Sequence, residues 1–220
     1  MTADHPMTFT EEAWERTSHI RDRIDTLPFV QALADGSLER SAFNYYMVQD
    51  ALYLGAYGRA LAGLGAKADE PDDLIFWSKC AADSIEVERS LHASHVDVSA
   101  RAQASPTCRA YSSFLLACLN EDYAIAATSV LPCFWVYEDV GRRILEASCD
   151  LENHPYGDWI EMYGDPVFAE QTLRVRAIID RLAEEASPRG RERMFEVFQQ
   201  AVRYEWMFWD AAWRQEEWPV

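Results

Sequence analysis

Three ionisable residues stand where an amphipathic pattern would not place them. Between Arg40 and Arg59 the stretch SAFNYYMVQDALYLGAYG carries Asp50 as its only charge. At helical spacing Tyr46, Tyr53, Leu54 and Tyr57 share its face. A carboxylate among aromatic rings is costly unless it is paired or hydrogen-bonded. It reads either as a structural Asp held by a tyrosine hydroxyl or a buried arginine, or as an acid kept for chemistry. In YAIAATSVLPCFWVYEDVG, Cys133 lies in a charge-free run with Tyr137 four residues on. Pro132 beside it leaves the Thr128 carbonyl without its helical partner, which predicts a kink. A kink can turn a thiol toward a cavity. The other reading is a buried, inert cysteine, since reactivity requires a lowered pKa or a nearby base. In AVRYEWMFWDAAW, Glu205 sits between Tyr204 and Trp206, with Phe208 and Trp209 at i+3 and i+4. Such surroundings drive a carboxyl pKa upward, as a general acid near neutrality needs. Pairing with an arginine from another helix is the alternative. If these three faces converge, they line a pocket with rings and few charges. That suits a flat, neutral heteroaromatic ligand better than a phosphate or a sugar acid.

Other chemistries have thinner support. No Glu-x-x-His occurs, so the di-iron bundle signature is absent. His92 and His95, with Glu88 one turn back, have ligand spacing but no further histidine near them, and read as surface or capping residues. His19 is an isolated candidate for an axial haem ligand, with a solvated role as its alternative. Glycine-rich phosphate loops and Gly-x-Ser-x-Gly elbows are missing. The reading needs no metal and no cofactor.

The elements that must position these residues read almost wholly as helix. Thr8 and Glu11 have capping-box spacing and open a helix expected from Thr10 to Asp25. A short turn at Leu27-Pro28 follows. Asp35-Gly36 is a break, and Ser37 is expected to cap a long helix reaching Ala66. Pro71 opens another, to Val98. Ser105-Pro106 is an N-cap with proline at the first helical position. Asn120-Glu121-Asp122 marks a joint before a helix to Ala147. His154-Pro155 is expected to start a short helix ending near Gly164-Asp165. Pro166 opens the next, to Glu185, and Ser187-Pro188 the last, to Arg214. No β-alternation persists and no repeat is evident. The expectation is one all-α domain over residues 1–220 with seven to nine helices.

Composition narrows the partners. The 220 residues carry 20 Lys+Arg against 37 Asp+Glu, a net charge of -17. Like charges make nucleic acid and anionic membranes poor partners. The chain is nonetheless 49% hydrophobic and 13% aromatic, far from a disordered composition. The N-terminal residues are polar, and the longest charge-free run, Tyr123 to Tyr137, is too short to cross a bilayer. Five cysteines, Cys80, Cys108, Cys118, Cys133 and Cys149, show no C-x-x-C spacing. A reduced, cytoplasmic setting fits them. Trp206, Trp209, Trp213 and Trp218 exceed what one helix face needs, so they pack either within the protomer or at a subunit contact.

Several stretches together resemble the TenA/thiaminase II family. They are FNYYMVQDALYL (Phe43 to Leu54), EVERSLH (Glu86 to His92), LPCFWVYEDVG (Leu131 to Gly141), HPYGDWIEMYG (His154 to Gly164) and YEWMFWDAAW (Tyr204 to Trp213). They fall in order over most of the chain, and the LPC-x-W-x-Y block is the most specific. The resemblance implies a haem-oxygenase-like all-α fold, a homotetramer and hydrolysis of thiamin-derived pyrimidines without a cofactor. It implies Cys133 as nucleophile toward the pyrimidine ring and Glu205 as acid/base for the leaving group and the water. Asp50 would hold the pyrimidine amino group and a ring nitrogen. Tyr53, Tyr111, Tyr137, Tyr163 and Phe208 would line the pocket or support the thiol, Tyr111 through the local match CRAYSSF. Cys133 places the chain with the cysteine-bearing branch of that family.

Overall fold

A computed structural model describes residues 6–95 and 102–220, with the side chains of residues 87–95 outside the described set. Among the described residues there are ten helices and no strand. Helices α1 (Phe9–Arg16) and α2 (Ser18–Asp25) replace the single helix expected over Thr10 to Asp25. The capping box of Thr8 and Glu11 forms as the spacing predicts. The break falls at Thr17. Its hydroxyl donates back to the carbonyls of Ala13 (2.9 Å) and Trp14 (3.1 Å), local bonds that compete with the regular helix.

The Leu27-Pro28 turn opens a further helix, α3 (Pro28–Asp35), with proline at its first position. Gly36 ends it at φ +77°, a conformation that favours glycine. Ser37 does not cap the next helix, because the Asp35 carboxylate takes the Ser37 N–H at 2.9 Å and the chain stays extended to Glu39. Helix α4 (Arg40–Lys67) then runs through the middle of the molecule. It is buried on almost every side, as a helix apolar all round must be. Helix α5 is Pro71–His95, and its expected end at Val98 lies outside the described residues.

Helix α6 (Pro106–Cys118) starts at the expected cap, with Ser105 Oγ accepting the Cys108 N–H. Helix α7 (Tyr123–Ala147) continues across Pro132. Helix α8 (Gly157–Gly164) begins later than His154-Pro155. There the His154 ring accepts the Tyr156 N–H at 3.1 Å and holds a turn first. Helices α9 (Pro166–Glu185) and α10 (Pro188–Arg214) begin at the expected prolines. The count thus exceeds the expected seven to nine because one helix splits and one turn continues.

Helix α4 packs along α5 and α6, while α7 packs against α8, α9 and α10. Helix α10 also meets α4 and α6, so the middles of α4, α7 and α10 face one interior. Of the C-terminal tryptophans, Trp209 is fully buried and Trp206 half-buried. Trp213 and Trp218 are exposed, and the Trp218 indole N–H donates to the Ala104 carbonyl at 2.9 Å.

Candidate active site

The three singled-out residues meet in this interior. Helix α4 supplies Asp50, α7 supplies Cys133 and α10 supplies Glu205. Asp50 is 4% exposed and Glu205 2%. Each is within electrostatic reach of the other two. The burying elements are rings. Tyr53 and Tyr111 pack with centroids 4.8 Å apart, and Phe208 lies 5.6 Å from Tyr53 and 6.2 Å from Tyr46. On the other flank Tyr137, Tyr163, Trp159 and Trp209 form a second cluster, with Tyr137–Tyr163 at 4.9 Å. All eight residues expected at the site are therefore gathered in one region.

Hydrogen bonding separates the two carboxylates. The Tyr111 hydroxyl donates to Glu205 Oε1 at 2.5 Å. Asp50 has no hydrogen-bond or ion-pair partner among the described residues, and neither acid is held by an arginine there. The paired-arginine readings of Asp50 and Glu205 therefore do not apply among those residues. Burial raises the Glu205 carboxyl to about 8, against the Tyr111 hydrogen bond that lowers it and with the Asp50 charge adding to the rise. Burial alone raises Asp50 to about 7. Both carboxyls thus hold a proton through much of the range where an ordinary carboxylate is ionised.

Cys133 keeps part of its surface accessible, and that surface faces a partly open pocket of about 150 Å³. Burial and the negative potential of Glu205 push its thiol up, while the hydroxyls of Tyr53 and Tyr57 draw it down. Tyr57 donates to the Val130 carbonyl at 3.0 Å. The Tyr53 hydroxyl is buried without a hydrogen-bond partner. It is a donor left open beside the thiol. A second cavity of about 140 Å³ reaches Asp50. Met162 and Tyr163 of α8 line both cavities and form the wall between them.

Sequence reasoning missed the side chains that fix this wall. The Trp159 indole donates to the Tyr46 hydroxyl at 3.2 Å, tying α8 to α4. Tyr204 stacks on Tyr111 at 5.0 Å behind the Glu205 hydrogen bond. Both lie inside the quoted stretches, but their partners are far away in sequence. Other candidates lie elsewhere. His19 lines a surface cleft with Arg23, Arg203 and Trp206, not the cavities reaching Cys133 or Asp50. The side chains of Glu88, His92 and His95 lie outside the described residues.

Residues 14–215, which include every residue of this cluster, match the sequence profile of the TENA/THI-4/PQQC family. The chain belongs to that family. It is 35% identical over 207 residues to the thiamine biosynthesis multifunctional protein ThiED of Corynebacterium glutamicum, covering 94% of this chain and 27% of that one. The chain thus spans little more than a quarter of that relative. It is 30% identical over 221 residues to the aminopyrimidine aminohydrolase of Halalkalibacterium halodurans, covering 96% and 98% of the two chains. Among solved structures, a TenA homologue from P. horikoshii superposes with a TM-score of 0.83 at 26% identity, covering 94% of this chain and 99% of that one. A domain with a heme oxygenase-like fold from Shewanella denitrificans superposes at 0.74 and 14% identity, covering 96% and 94%. The all-α, haem-oxygenase-like fold expected of this TENA/THI-4/PQQC member is the fold it has. Among the described residues, no helix is long and apolar enough to cross a membrane.

Proposed function

We propose that this chain hydrolyses the C–N bond at the C5 methylene of thiamin-derived pyrimidines. The substrates are 4-amino-5-aminomethyl-2-methylpyrimidine and thiamin. The product is 4-amino-5-hydroxymethyl-2-methylpyrimidine, recovered for thiamin salvage. The observation that carries this reading is the convergence of buried Asp50 and Glu205 on Cys133 in one ring-lined interior. Its support is a near-full-length relative named aminopyrimidine aminohydrolase.

Direct displacement at the methylene is slow, and a thiol nucleophile divides it into easier steps. Cys133 adds across a ring C=N bond, its sulfur to carbon and its proton to the ring nitrogen. Asp50, hydrogen-bonded to that nitrogen and to the exocyclic amino group, conveys the proton. The electron pair on nitrogen then expels the leaving group, and Glu205 protonates the departing amine. Water adds to the exocyclic methylene and returns a proton to Glu205. The ring electrons finally expel Cys133 as the proton on the ring nitrogen returns through Asp50 to the sulfur. The Tyr53 hydroxyl is placed to steady negative charge on sulfur, and the surrounding rings hold the pyrimidine at attack distance. A cytoplasmic homotetramer is the setting this reading implies, and light scattering reads its mass.

Mass spectrometry of the product formed from the aminomethylpyrimidine tests the reaction. Cys133→Ser is expected to abolish turnover while the pyrimidine still binds. Unchanged turnover in that variant removes the mechanism.

A further inference from the structure

Helix α10 ends in a cap that aims one carboxylate at the start of another helix. Gln215 adopts φ +47°. Its N–H donates to the Ala212 carbonyl at 3.2 Å, and the Glu216 N–H donates to the Ala211 carbonyl at 2.9 Å, which turns the chain back at the helix end. The Glu216 carboxylate then accepts the Thr107 N–H at 2.9 Å and the Thr107 hydroxyl at 3.1 Å. That N–H belongs to the first turn of α6, where no helical carbonyl is available to it and a carboxylate is favoured. Arg214 lies 3.9 Å from the carboxylate, which is 17% exposed. The Glu216 carbonyl accepts the Tyr45 hydroxyl of α4 at 2.5 Å. Gln49, one turn on from Tyr45, accepts the Ser105 N–H at 2.8 Å and donates to the Gln103 carbonyl at 3.1 Å. Three helices are thereby fixed at one point. Thr107 and Tyr111 lie one turn apart on α6, and Tyr111 donates to Glu205 of α10. The strap thus joins the ends of the two helices whose interior carries that bond. Glu216 lines neither pocket beside Cys133 and Asp50, and it lies just beyond the residues that match the family profile.

We propose that Glu216 is a positioning residue that holds α6 in register on α10 and so keeps the Tyr111 hydroxyl on Glu205. The inference rests on the acid role proposed above for Glu205 and extends it to a residue outside the pocket. The groups facing Glu205 are Asp50 and Tyr53 of α4, Tyr111 of α6, and Cys133 and Tyr137 of α7. Among the described residues Tyr111 alone is hydrogen-bonded to it. A hydrogen bond weakens steeply as its geometry opens, so a small slip of α6 removes the contact. Glu205 then loses the bond that lowers it and keeps its proton to higher pH.

A double-mutant cycle on the full chain tests this, with pH–rate profiles for the aminomethylpyrimidine. Glu216→Ala is expected to lower kcat about tenfold, a fraction of the roughly 10²–10⁴ that general acid–base catalysis contributes. KM should stay within about twofold, and the basic limb should move to higher pH. Glu216→Gln keeps an oxygen for the Thr107 N–H and should restore most of kcat. In a Tyr111→Phe background, Glu216→Ala should leave the limb where it is, because both changes act through one bond. A merely structural Glu216 would lower the melting temperature without moving the limb. That result overturns the inference, as does an equal shift of the limb in both backgrounds. Thr107→Val, which removes one of the two contacts, carries the same cycle if Glu216→Ala does not fold. The infrared band of the protonated Glu205 carboxyl, assigned by its loss in Glu205→Gln, needs no turnover. Its persistence to higher pH in Glu216→Ala supports the inference, and an unchanged titration overturns it. A wild type that cleaves no pyrimidine overturns the reaction alone and leaves that titration to decide.

Discussion

Glu205→Gln separates the charge of a buried carboxyl from its shape. Glutamine keeps the volume and still offers an oxygen to the Tyr111 hydroxyl, which donates to Glu205 in the wild type. It cannot ionise. Burial moves the Glu205 carboxyl from 4.5 to about 8. The folded state therefore binds this proton more tightly than the unfolded chain does. Its contribution to stability is fully present below about pH 4.5 and is lost as pH rises through about 8. At ~1.4 kcal/mol for each tenfold change in proton affinity, the loss across that window is about 5 kcal/mol.

The sign follows directly. The wild type should weaken steadily from pH 5 to pH 8, while Glu205→Gln lacks this part of the slope. Asp50, raised to about 7, titrates in both proteins and cancels from the comparison to first order. Urea unfolding followed by far-UV circular dichroism at pH 5, 6, 7 and 8 reads the difference. Protein concentration is held fixed, because the proposed tetramer would couple association to the apparent stability. The variant should gain on the wild type by several kcal/mol over the series, in the direction of rising pH. A difference that changes by less than ~1 kcal/mol, under one pKa unit, would refute the claim that Glu205 stays protonated near neutrality. It would also remove the basis for its role as an acid.

Three further substitutions have outcomes set by the same packing. Tyr111→Phe removes a hydroxyl that lowers Glu205, so the basic limb of the pH–rate profile should move to higher pH. Gly141→Ala would place a methyl carbon 2.6 Å from Tyr163 Cβ and 2.9 Å from its carbonyl oxygen. Helix α8 must shift, and since a displacement of about 1 Å at a reacting centre can cost ~100-fold, kcat/KM should drop sharply, and the thermal melt should fall as well, since such overpacking costs about 1–3 kcal/mol. Asp73→Ala removes a buried carboxylate that bridges Arg181, Arg174 (3.6 Å) and the Tyr123 hydroxyl (3.2 Å). Guanidinium unfolding should report a loss of about 2–4 kcal/mol, with kinetic constants unchanged below the melt.

Asp50, Cys133 and Glu205 were legible because each is a rare ionisable group in an aromatic stretch, and desolvation makes such exceptions informative. The starts of α6 and α10 were legible for a local reason, since Ser followed by Pro satisfies the first turn. Thr17 and Ser37 were misread because equally local bonds competed. A threonine hydroxyl bonding back to Ala13 broke one helix, and Asp35 captured the Ser37 N–H. Trp159 and Tyr46 are 113 residues apart, and their bond was not legible from either stretch.

Among the described residues, no cation is found beside Asp50, Cys133 or Glu205, and Asp50 raises Glu205 while both acids raise the thiol. A resting thiolate needs a nearby positive charge or a helix N-terminus, and Cys133 lies mid-helix beside two acids. In the proposed reaction the nucleophile then forms together with the substrate, its proton passing to the ring nitrogen as the C–S bond is made. That requirement accounts for two carboxyls held near neutrality rather than one. In that proposal Asp50 carries a proton toward the ring, and Glu205 carries one toward the leaving nitrogen. The aromatic lining that raises both acids also excludes the water that would ionise them. Stacking surface and proton inventory are therefore two consequences of the same burial.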